Sequence, residues 1–355
     1  MSTYDFLHRG GITMARKKKK TTKQKKKWHY ALYALEILLL LILIPSAFCI
    51  YKISLIETYH MDQNKIEEYE FSDSNIGNYT NIALFGVDSR ANELTKNTRT
   101  DCIIIASINN KTKEVRLASL YRDTYVYIPD HGYTKLNHAY AYGGPELALS
   151  TINKNFDLNV HDFVTINFSA LSNVIDALGG VDIKIKKDEL KWVNAYAQDV
   201  ARINGTKVKK IKKPGLHTLS GVQATGYCRV RYTSGGDFTR AKRQRTVIQQ
   251  IVKKAKSADP ITLYQLMDEF LPQIYTSLDT SDILSLASGI FFYDIQANFG
   301  FPFDSATPTI NGASVVTAET LSSNVSKLHK KLFETVRYSP SSTVEYRSNE
   351  IASLH

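Results

Sequence analysis

Residues Cys228–Arg245 read CRVRYTSGGDFTRAKRQR. The predictions of the fold and of the functional site start from this basic stretch. Before its two glycines the pattern is typical of an extended segment, in which alternate side chains point the same way. Arg229 and Arg231 would then project from one face, beside Tyr227 and Tyr232. A half-buried arginine requires an anionic partner, so this segment predicts an anion site.

The second half of the stretch predicts a helix. Asp237 is a suitable N-terminal cap, and an apolar stripe follows at 247–252. Arg240, Arg243 and Gln244 are spaced to share one face near the start of that helix. A helix N-terminus flanked by forked guanidinium groups is a binding place for phosphate or pyrophosphate. A solvated basic helix is the competing interpretation, because a run of charge does not by itself require a ligand.

The charge of the chain is concentrated at one end. The 355 residues carry a formal net charge of +11, and residues 1–27 hold ten basic side chains against Asp5 alone, which accounts for +9 of that charge. The nearly neutral remainder argues against a nucleic-acid partner, since such partners require a basic surface on the folded domain. Three cysteines without CxxC or HExxH motifs argue against a disulfide framework and a zinc site, while a bridge between Cys102 and Cys228 stays open.

An apolar segment follows the basic residues. Residues 29–51 are long enough to cross a bilayer, which takes roughly 20 residues, and the lysines before them predict a cytoplasmic N-terminus. A cleaved signal peptide is the alternative, but the segment is long for one and no small-residue cleavage motif follows it. We therefore predict a single-pass protein of the cell membrane. Its parts are a cytoplasmic tail (1–28) that contacts membrane lipid, a transmembrane helix (29–51), a stalk (52–79), an extracytoplasmic domain (80–335) and a loose tail (336–355).

The extracytoplasmic domain alternates between strand and helix patterns. Apolar runs predict strands at Asn81–Val87, Cys102–Ser107 and Glu114–Tyr121, the last two as a hairpin. A strand–helix–strand succession over residues 163–186 predicts a parallel crossover, and hence an α/β domain whose helices cover a sheet. A helix is also predicted within Ile53–Tyr69, whereas Tyr125–Gly144 is predicted to be irregular and residues 188–213 have no clear pattern.

Charged pairs stand beside three of the predicted strands. They are Asp88 with Arg90, Arg99 with Asp101, and Arg122 with Asp123. Loops at strand ends are where open sheets bind ligands, so these pairs and the arginine stretch together predict one site. Asp88 and Asp101 would repel each other without a cation or arginines between them. Carboxylate oxygens without His or Cys are typical ligands of Mg²⁺.

The motifs around these residues resemble those of the LytR–CpsA–Psr family of bacterial membrane-anchored glycopolymer transferases. In family order they are GVDSR (86–90), RTD (99–101), SLYRDTYV (119–126), KLNHAYAYGG (135–144), FVTINFSALSNVIDALGGVDI (163–183) and RVRY…GDFTRAKRQR (229–245). The resemblance implies a three-layer α-β-α sandwich with a central mixed sheet. It also implies a partner, a polymer linked to polyprenyl pyrophosphate, and its transfer onto peptidoglycan in cell-wall assembly. Whether the polymer is teichoic acid, capsule or another glycopolymer stays open.

The resemblance also implies roles for single residues. Asp88 and Asp101 match the acidic positions associated with Mg²⁺, and with Arg122 they are the candidate catalytic residues. The candidate pyrophosphate-binding residues are Arg90, Arg99, Arg122, Lys135, Arg229, Arg231, Arg240 and Gln244. The chain departs from the family pattern at Tyr121, where proline is common, and in the short loop SGGDFT (234–239).

The implied reaction is phosphoryl transfer at an anhydride. A muramic-acid hydroxyl attacks the sugar-side phosphorus and polyprenyl phosphate leaves, while arginines and Mg²⁺ stabilise the developing charge. Either Asp88 or Asp101 would accept the hydroxyl proton. The polyprenyl tail is expected in an apolar groove lined by residues 147–178 and 261–292. A non-catalytic lipid-phosphate sensor and a membrane-bound pyrophosphatase are the alternatives, because binding and turnover use the same groups.

Overall fold

The computed structural model describes residues 58–61, 76–88, 94–95, 97–334 and 338–353, together with some of the residues between 28 and 51. Six strands form the central sheet: β1 Tyr79–Val87, β2 Thr100–Asn109, β3 Glu114–Leu120, β6 Asp162–Asn167, β9 Tyr275–Thr276 and β10 Asp294–Phe301. Their order across the sheet is β10-β3-β2-β1-β6-β9, with both parallel and antiparallel neighbours. The predicted α/β class with a central mixed sheet is confirmed.

The other strands form small pairs beside this sheet. The bounds of the larger two pairs are β4 Tyr125–Ile128 with β5 Gly132–Lys135, and β7 Val181–Ile185 with β8 Gly215–Leu219. Two short pairs follow, β11 Ser305–Ala306 with β14 Thr317–Ala318 and β12 Thr309–Ile310 with β13 Ala313–Ser314.

Nine helices lie within the described part of the domain. Their bounds are α1 Asn137–Phe156, α2 Phe168–Ala177, α3 Leu190–Ile203, α4 Gly221–Arg229, α5 Gly236–Lys256, α6 Pro260–Phe270, α7 Thr280–Ser288, α8 Leu321–Phe333 and α9 Ser342–Ala352. Gly143 and Gly144 have non-helical backbone angles and kink α1 ahead of Pro145.

Helices pack on both faces of the sheet because the strand side chains alternate. In β2, Ile103 and Ile105 belong to a core that also contains Tyr140 of α1 and Leu328 of α8. The neighbouring Ile104 faces the other way, into a second core. That core also receives side chains of α5 and α7, at Ile248, Ile283 and Leu286. Both faces of the sheet are therefore apolar, which explains the nearly continuous apolar runs in the sequence.

Several sequence predictions are corrected by the structure. The predicted parallel crossover over 163–186 is wrong, since β7 pairs antiparallel with β8 outside the central sheet. The segment Tyr125–Gly144 is not irregular, because it contains β4, β5 and the first turns of α1. Within the predicted loose tail 336–355, residues 342–352 instead form α9, which buries Val344 and Ile351. The unassigned residues 188–213 contain α3.

The segment ahead of the domain is described only in part. Thr58 forms a β-bridge with Thr276, and the ring of Tyr59 packs on Phe163, so the predicted helix within Ile53–Tyr69 is wrong at 58–61. The described residues between Trp28 and Tyr51 are helical. Among the described residues, no helix combines the length and the apolar content needed to cross a membrane.

Candidate active site

The ladder between β1 and β2 changes register where β1 ends. Gly86 pairs with Cys102 and Val87 pairs with Thr100, so Asp101 is the extra residue of a β-bulge. A bulge turns its extra side chain out of the regular alternation, and bulges are common beside active sites. The bulge therefore presents the Asp101 carboxylate at the same sheet edge as Asp88, which follows directly after β1.

Arg122 lies at the centre of the charged cluster. Its Nη1 pairs with Asp101, and its Nε lies 3.2 Å from Oδ2 of Asp237 and 3.5 Å from Oδ2 of Asp123. Burial alone would lower the pKa of Arg122, but Asp101, Asp237 and Asp123 together outweigh burial and raise it. The Arg122 guanidinium is thus held in its charged form by three carboxylates from three different segments.

The turn between α4 and α5 depends on two glycines. Gly235 and Gly236 have φ of +83° and +46°, a backbone conformation that other residues adopt only at a cost. A Cβ on Gly235 would also lie 2.3 Å from Oγ1 of Thr239. The predicted extended segment before this turn is wrong: Arg229 is the last residue of α4, and Arg231 lies exposed in the turn.

Asp237 pairs with arginine and does not cap α5 as predicted. The cap position is Gly235, and no side chain caps it. The Oδ2 of Asp237 accepts a hydrogen bond from Nη2 of Arg240 at 2.9 Å, and Nη1 of Arg240 lies 3.7 Å from Oδ1 of Asp101. Arg240 is only 4% exposed. Burial lowers the pKa of Arg240 against the opposing effect of Asp237, so a further anion beside it would be stabilising.

Arg229 connects Asp88 to an aromatic wall. Its Nη2 lies 3.5 Å from Oδ2 of Asp88. Its guanidinium carbon lies 4.9 Å from the ring centre of Phe168 and 5.7 Å from that of Tyr196, within the range of cation–π contacts. Two aromatic rings therefore flank the Arg229 guanidinium beside the end of β1.

The KLN motif reaches the same edge through Lys135. Its Nζ lies 3.1 Å from Oδ1 of Asp123, the carboxylate that also contacts Arg122. Arg99 is exposed. Burial lowers the pKa of His138, and the positive charges of Arg99 and Lys135 lower it further against the opposing effect of Asp123. Arg90 lies outside the described residues.

Gln244 and Arg243 contact different parts of the protein, although their helical spacing predicts a shared face. The side-chain nitrogen of Gln244 donates to the backbone carbonyl of Asp101 at 3.4 Å, so Gln244 belongs to the site. Arg243 is 2% exposed and donates to Oε1 of Glu189 at 3.0 Å and to the Val230 carbonyl at 2.9 Å. Arg243 therefore joins α5 to the start of α3 and to the residue after α4, and it stands apart from the candidate site.

Three guanidinium groups of the cluster carry buried N–H groups without a hydrogen-bond partner among the described residues. These are the Nε of Arg122, the Nη1 of Arg229 and the Nε of Arg240. The Nε of Arg122 has carboxylates nearby, but at an angle that makes no hydrogen bond. Buried donors are nearly always satisfied in folded proteins, so several orphaned donors at one sheet edge indicate a ligand with several acceptor oxygens.

The carboxylates of the site are shared with arginines. Asp101 contacts Arg122 and Arg240, and Asp88 contacts Arg229. In the part of the chain that the structure describes, no group of three His, Cys, Asp or Glu residues could hold a metal ion. Two carboxylates at one edge still fit Mg²⁺, which commonly takes one or two protein carboxylates and completes its shell with substrate phosphates and water.

Sequence reasoning missed the role of Asp237. The GDFTR motif contains it, and its spacing to Arg240 at i, i+3 was the available signal for an ion pair on one helix.

The thiols of Cys102 and Cys228 are free. Burial raises the pKa of Cys102 to about 12, so it has little thiolate character at neutral pH.

Comparison with known proteins identifies the relatives of this fold and site. A model of the LytR_cpsA_psr family matches residues 49–325. The chain belongs to that family. The match includes the whole charged cluster, from Asp88, directly after β1, to Gln244 on α5.

Two curated relatives of the LytR–CpsA–Psr family are similar over long stretches. The Bacillus subtilis (strain 168) polyisoprenyl-teichoic acid–peptidoglycan teichoic acid transferase TagT is 34% identical over 208 residues, which cover 58% of this chain and 62% of that protein. The transferase TagU of Oceanobacillus iheyensis is 32% identical over 280 residues, which cover 73% of this chain and 80% of that protein. The first of these two relatives is thus matched over less than two thirds of its length.

A solved structure of a LytR–CpsA–Psr protein shows the same fold. It is YwtF (TagT) with bound octaprenyl pyrophosphate lipid, and it superposes with a TM-score of 0.54 at 25% sequence identity. The superposition covers 74% of this chain and 93% of that chain.

Proposed function

We propose that this protein transfers a glycopolymer from a polyprenyl-pyrophosphate carrier to a muramic-acid hydroxyl of peptidoglycan. The observation that carries the proposal is the set of orphaned guanidinium donors of Arg122, Arg229 and Arg240 at one sheet edge. A diphosphate supplies several anionic oxygens in a small space, and guanidinium groups bind such oxygens in a forked geometry. The names of the curated relatives and the lipid diphosphate bound by a homologous structure support the same chemistry.

The arginines contribute by stabilising charge. During transfer, negative charge develops on the equatorial oxygens of the attacked phosphorus and on the leaving polyprenyl phosphate. Fixed donors aimed at those oxygens stabilise the transition state without reorganising, and this is commonly the largest single contribution to catalysis. Asp101, Asp237 and Asp123 hold Arg122 in place before the substrate arrives, so its orientation is set in advance.

Asp88 and Asp101 are the residues that would hold Mg²⁺ beside the diphosphate. The ion would neutralise phosphate charge and polarise the attacked group when bound. A carboxylate that holds the metal tightly is a poor base. Asp101 already contacts two guanidinium groups, whereas Asp88 has one contact at 3.5 Å, so Asp88 is the better placed of the two to take the hydroxyl proton.

The carrier and the acceptor both restrict where the protein works. The polyprenyl carrier is a membrane lipid, so the domain would act at the extracytoplasmic surface of the membrane, to which the predicted anchor of residues 29–51 would hold it. The tail would lie over the apolar cluster between α2 and α6, where the partly buried Leu266 and Phe270 pack against the cluster of Val174 and Leu178. The domain would then act between its lipid carrier and the cell wall.

A product assay tests the proposal. The full-length protein in detergent would be mixed with a polyprenyl-pyrophosphate saccharide, Mg²⁺ and peptidoglycan oligomers. We expect the saccharide to be joined to the oligomer. Free saccharide phosphate would instead indicate a pyrophosphatase, and tight binding without any product would indicate a sensor.

A further inference from the structure

A second concave surface lies beside the β4–β5 hairpin, away from the charged cluster. It is a groove of about 610 Å³ between the hairpin, the C-terminal end of α1 and helix α9. Its main lining residues are Tyr127, Tyr133, Lys154, Tyr346, Arg347 and Glu350. Three aromatic rings, two cations and one carboxylate therefore line one groove.

Helix α9 forms one wall of this groove and lies beyond the region that the family model matches. The helix is firmly placed, because Val344 and Ile351 are buried against the main core. Asp157, at the end of α1, also accepts hydrogen bonds from the backbone and the hydroxyl of Ser341, which caps α9. Helix α9 is therefore a well-packed part of the folded domain.

Arg347 is the most unusual residue of the groove. It is 4% exposed, and within the described ranges no carboxylate lies at ion-pair distance from it. Burial lowers the pKa of Arg347, although the charge of Asp157 opposes that effect. One of its N–H groups donates to the Lys154 carbonyl, and its guanidinium carbon lies 4.9 Å from the ring centre of Tyr127. Desolvation of an arginine is costly unless an anion compensates it, so an anionic group in the groove would be stabilised by Arg347.

Tyr133 provides a second, independent observation. Its hydroxyl is buried and has no hydrogen-bond partner among the residues that the structure describes. Burial raises the pKa of Tyr133 to about 12, so the hydroxyl keeps its proton and can donate it. Tyr346, which lines the same groove, is 64% exposed, and its ring offers a flat apolar surface.

We infer that this groove binds a sugar ring that carries one acidic group. Tyrosine rings supply the flat surface on which the apolar face of a sugar stacks, and Glu350 supplies an acceptor for its hydroxyls. The Tyr133 hydroxyl supplies a donor, and Arg347 binds the acidic group. With Lys154, Arg347 and Glu350 as the charged lining residues, the formal net charge is only +1, which suits a single acidic group better than a polyphosphate.

The groove connects to the charged cluster through one hairpin. In β5, Tyr133 and Lys135 are two residues apart and share a face, and their partners in β4 are Tyr127 and Tyr125. At about 3.4 Å per residue, the two positions are roughly 7 Å apart along the strand. The bound sugar would belong to the polymer or to the acceptor, so this inference deepens the proposed function and rests on it.

Binding of small sugars to the full-length protein in detergent tests the inference. The probes are N-acetylmuramic acid, N-acetylglucosamine 1-phosphate and the neutral N-acetylglucosamine, each followed by saturation-transfer NMR and titration. We expect at least one of the two acidic sugars to bind, and the neutral sugar to bind at least about tenfold more weakly, because a hydrogen bond to a charged group contributes about 1.5–3 kcal/mol. Preference for the carboxylate probe would point to the acceptor, and preference for the phosphate probe would point to the polymer.

Variants locate the binding. Tyr346→Ala removes an exposed ring with little effect on folding, and Arg347→Gln removes the cation, so each should weaken the acidic sugar about tenfold or more. Glu345→Gln, on the same helix but outside the groove lining, is the matched control and should bind normally. Equal affinity for neutral and acidic sugars, no binding of either acidic sugar, or unchanged binding in Tyr346→Ala would overturn the inference. Affinity for a lipid diphosphate, measured on the same preparations, should not change, and this separates failure of the groove from failure of the proposed function.

Discussion

Arg122, the second residue after β3, pairs with Asp101 in the bulge of the neighbouring strand β2. Before a ligand binds, the guanidinium that would stabilise phosphate charge is therefore neutralised by the carboxylate that would hold a metal. A diphosphate with Mg²⁺ would offer each of them a new partner. We expect binding of the diphosphate and of the metal to depend on each other for this reason.

Arg240→Lys tests whether the forked geometry of the site matters. The charge is kept, but a lysine cannot replace the Nε and Nη donors of a buried guanidinium. Losing a hydrogen bond to a charged group costs about 1.5–3 kcal/mol, so we expect affinity for a lipid diphosphate to fall by about ten- to a hundredfold. Titration of a short-chain polyprenyl diphosphate measures it. Lys242→Arg, an exposed change on the same helix, is the control. Unaltered affinity in Arg240→Lys would favour a solvated basic helix.

Asp101→Asn separates transfer from binding. The amide keeps the shape of the side chain but removes the charge that pairs with Arg122 and Arg240. We expect lipid diphosphate still to bind, with less dependence on Mg²⁺, while transfer falls by about a hundredfold, the scale of losing one preorganised electrostatic contact. Both quantities would be measured across a Mg²⁺ titration. Transfer at the native rate with an unchanged Mg²⁺ requirement would contradict the metal assignment.

Arg243→Gln is expected to act on stability and to leave the ligand site unchanged. It would leave Glu189, which is 3% exposed, buried without its cation. Breaking a buried ion pair costs about 3–5 kcal/mol, which corresponds to a fall in Tm on the order of 10 °C. Thermal unfolding measures it, and the double change Glu189→Leu with Arg243→Met should recover much of the loss. A normal Tm together with lost lipid diphosphate binding would instead place Arg243 in the site.

The predictable parts of the fold are those that depend on short-range sequence patterns. The apolar runs of β1, β2 and β3 and the turn at Asn109 predict the hairpin and its neighbours, because both faces of these strands are buried. Which strands pair with each other across long stretches of sequence could not be predicted from such patterns. Nothing in Val181–Ile185 itself distinguishes a strand of the central sheet from one that pairs with the distant Gly215–Leu219.

The site was predictable as a set of residue types, and less so as a set of contacts. The charged pairs near strand ends located Asp101 and Arg122, and the bulge that turns Asp101 outward is a property of register that single-strand patterns do not contain. Arg243 and Arg240 have the same local chemistry in the sequence. Only the position of Glu189 on a separate segment decides that Arg243 serves packing.

The orientation of the protein in the membrane follows from its charge. We predict that Met1 is inside and His355 is outside, because the lysine-rich block lies on one side of residues 29–51. Protease added to intact spheroplasts should digest a C-terminal tag and spare an N-terminal one. The reverse pattern would exclude action on the cell wall and with it the proposed acceptor.

The fate of the two phosphates in a single turnover tests the central claim most directly. Enzyme in excess over a polyprenyl-pyrophosphate saccharide would be mixed with peptidoglycan oligomers, and all products would be identified by mass spectrometry. Attack at the sugar-side phosphorus predicts one polyprenyl monophosphate released for each oligomer that gains a saccharide and one phosphate. Release of polyprenyl diphosphate, or of saccharide phosphate without a conjugate, would contradict the account.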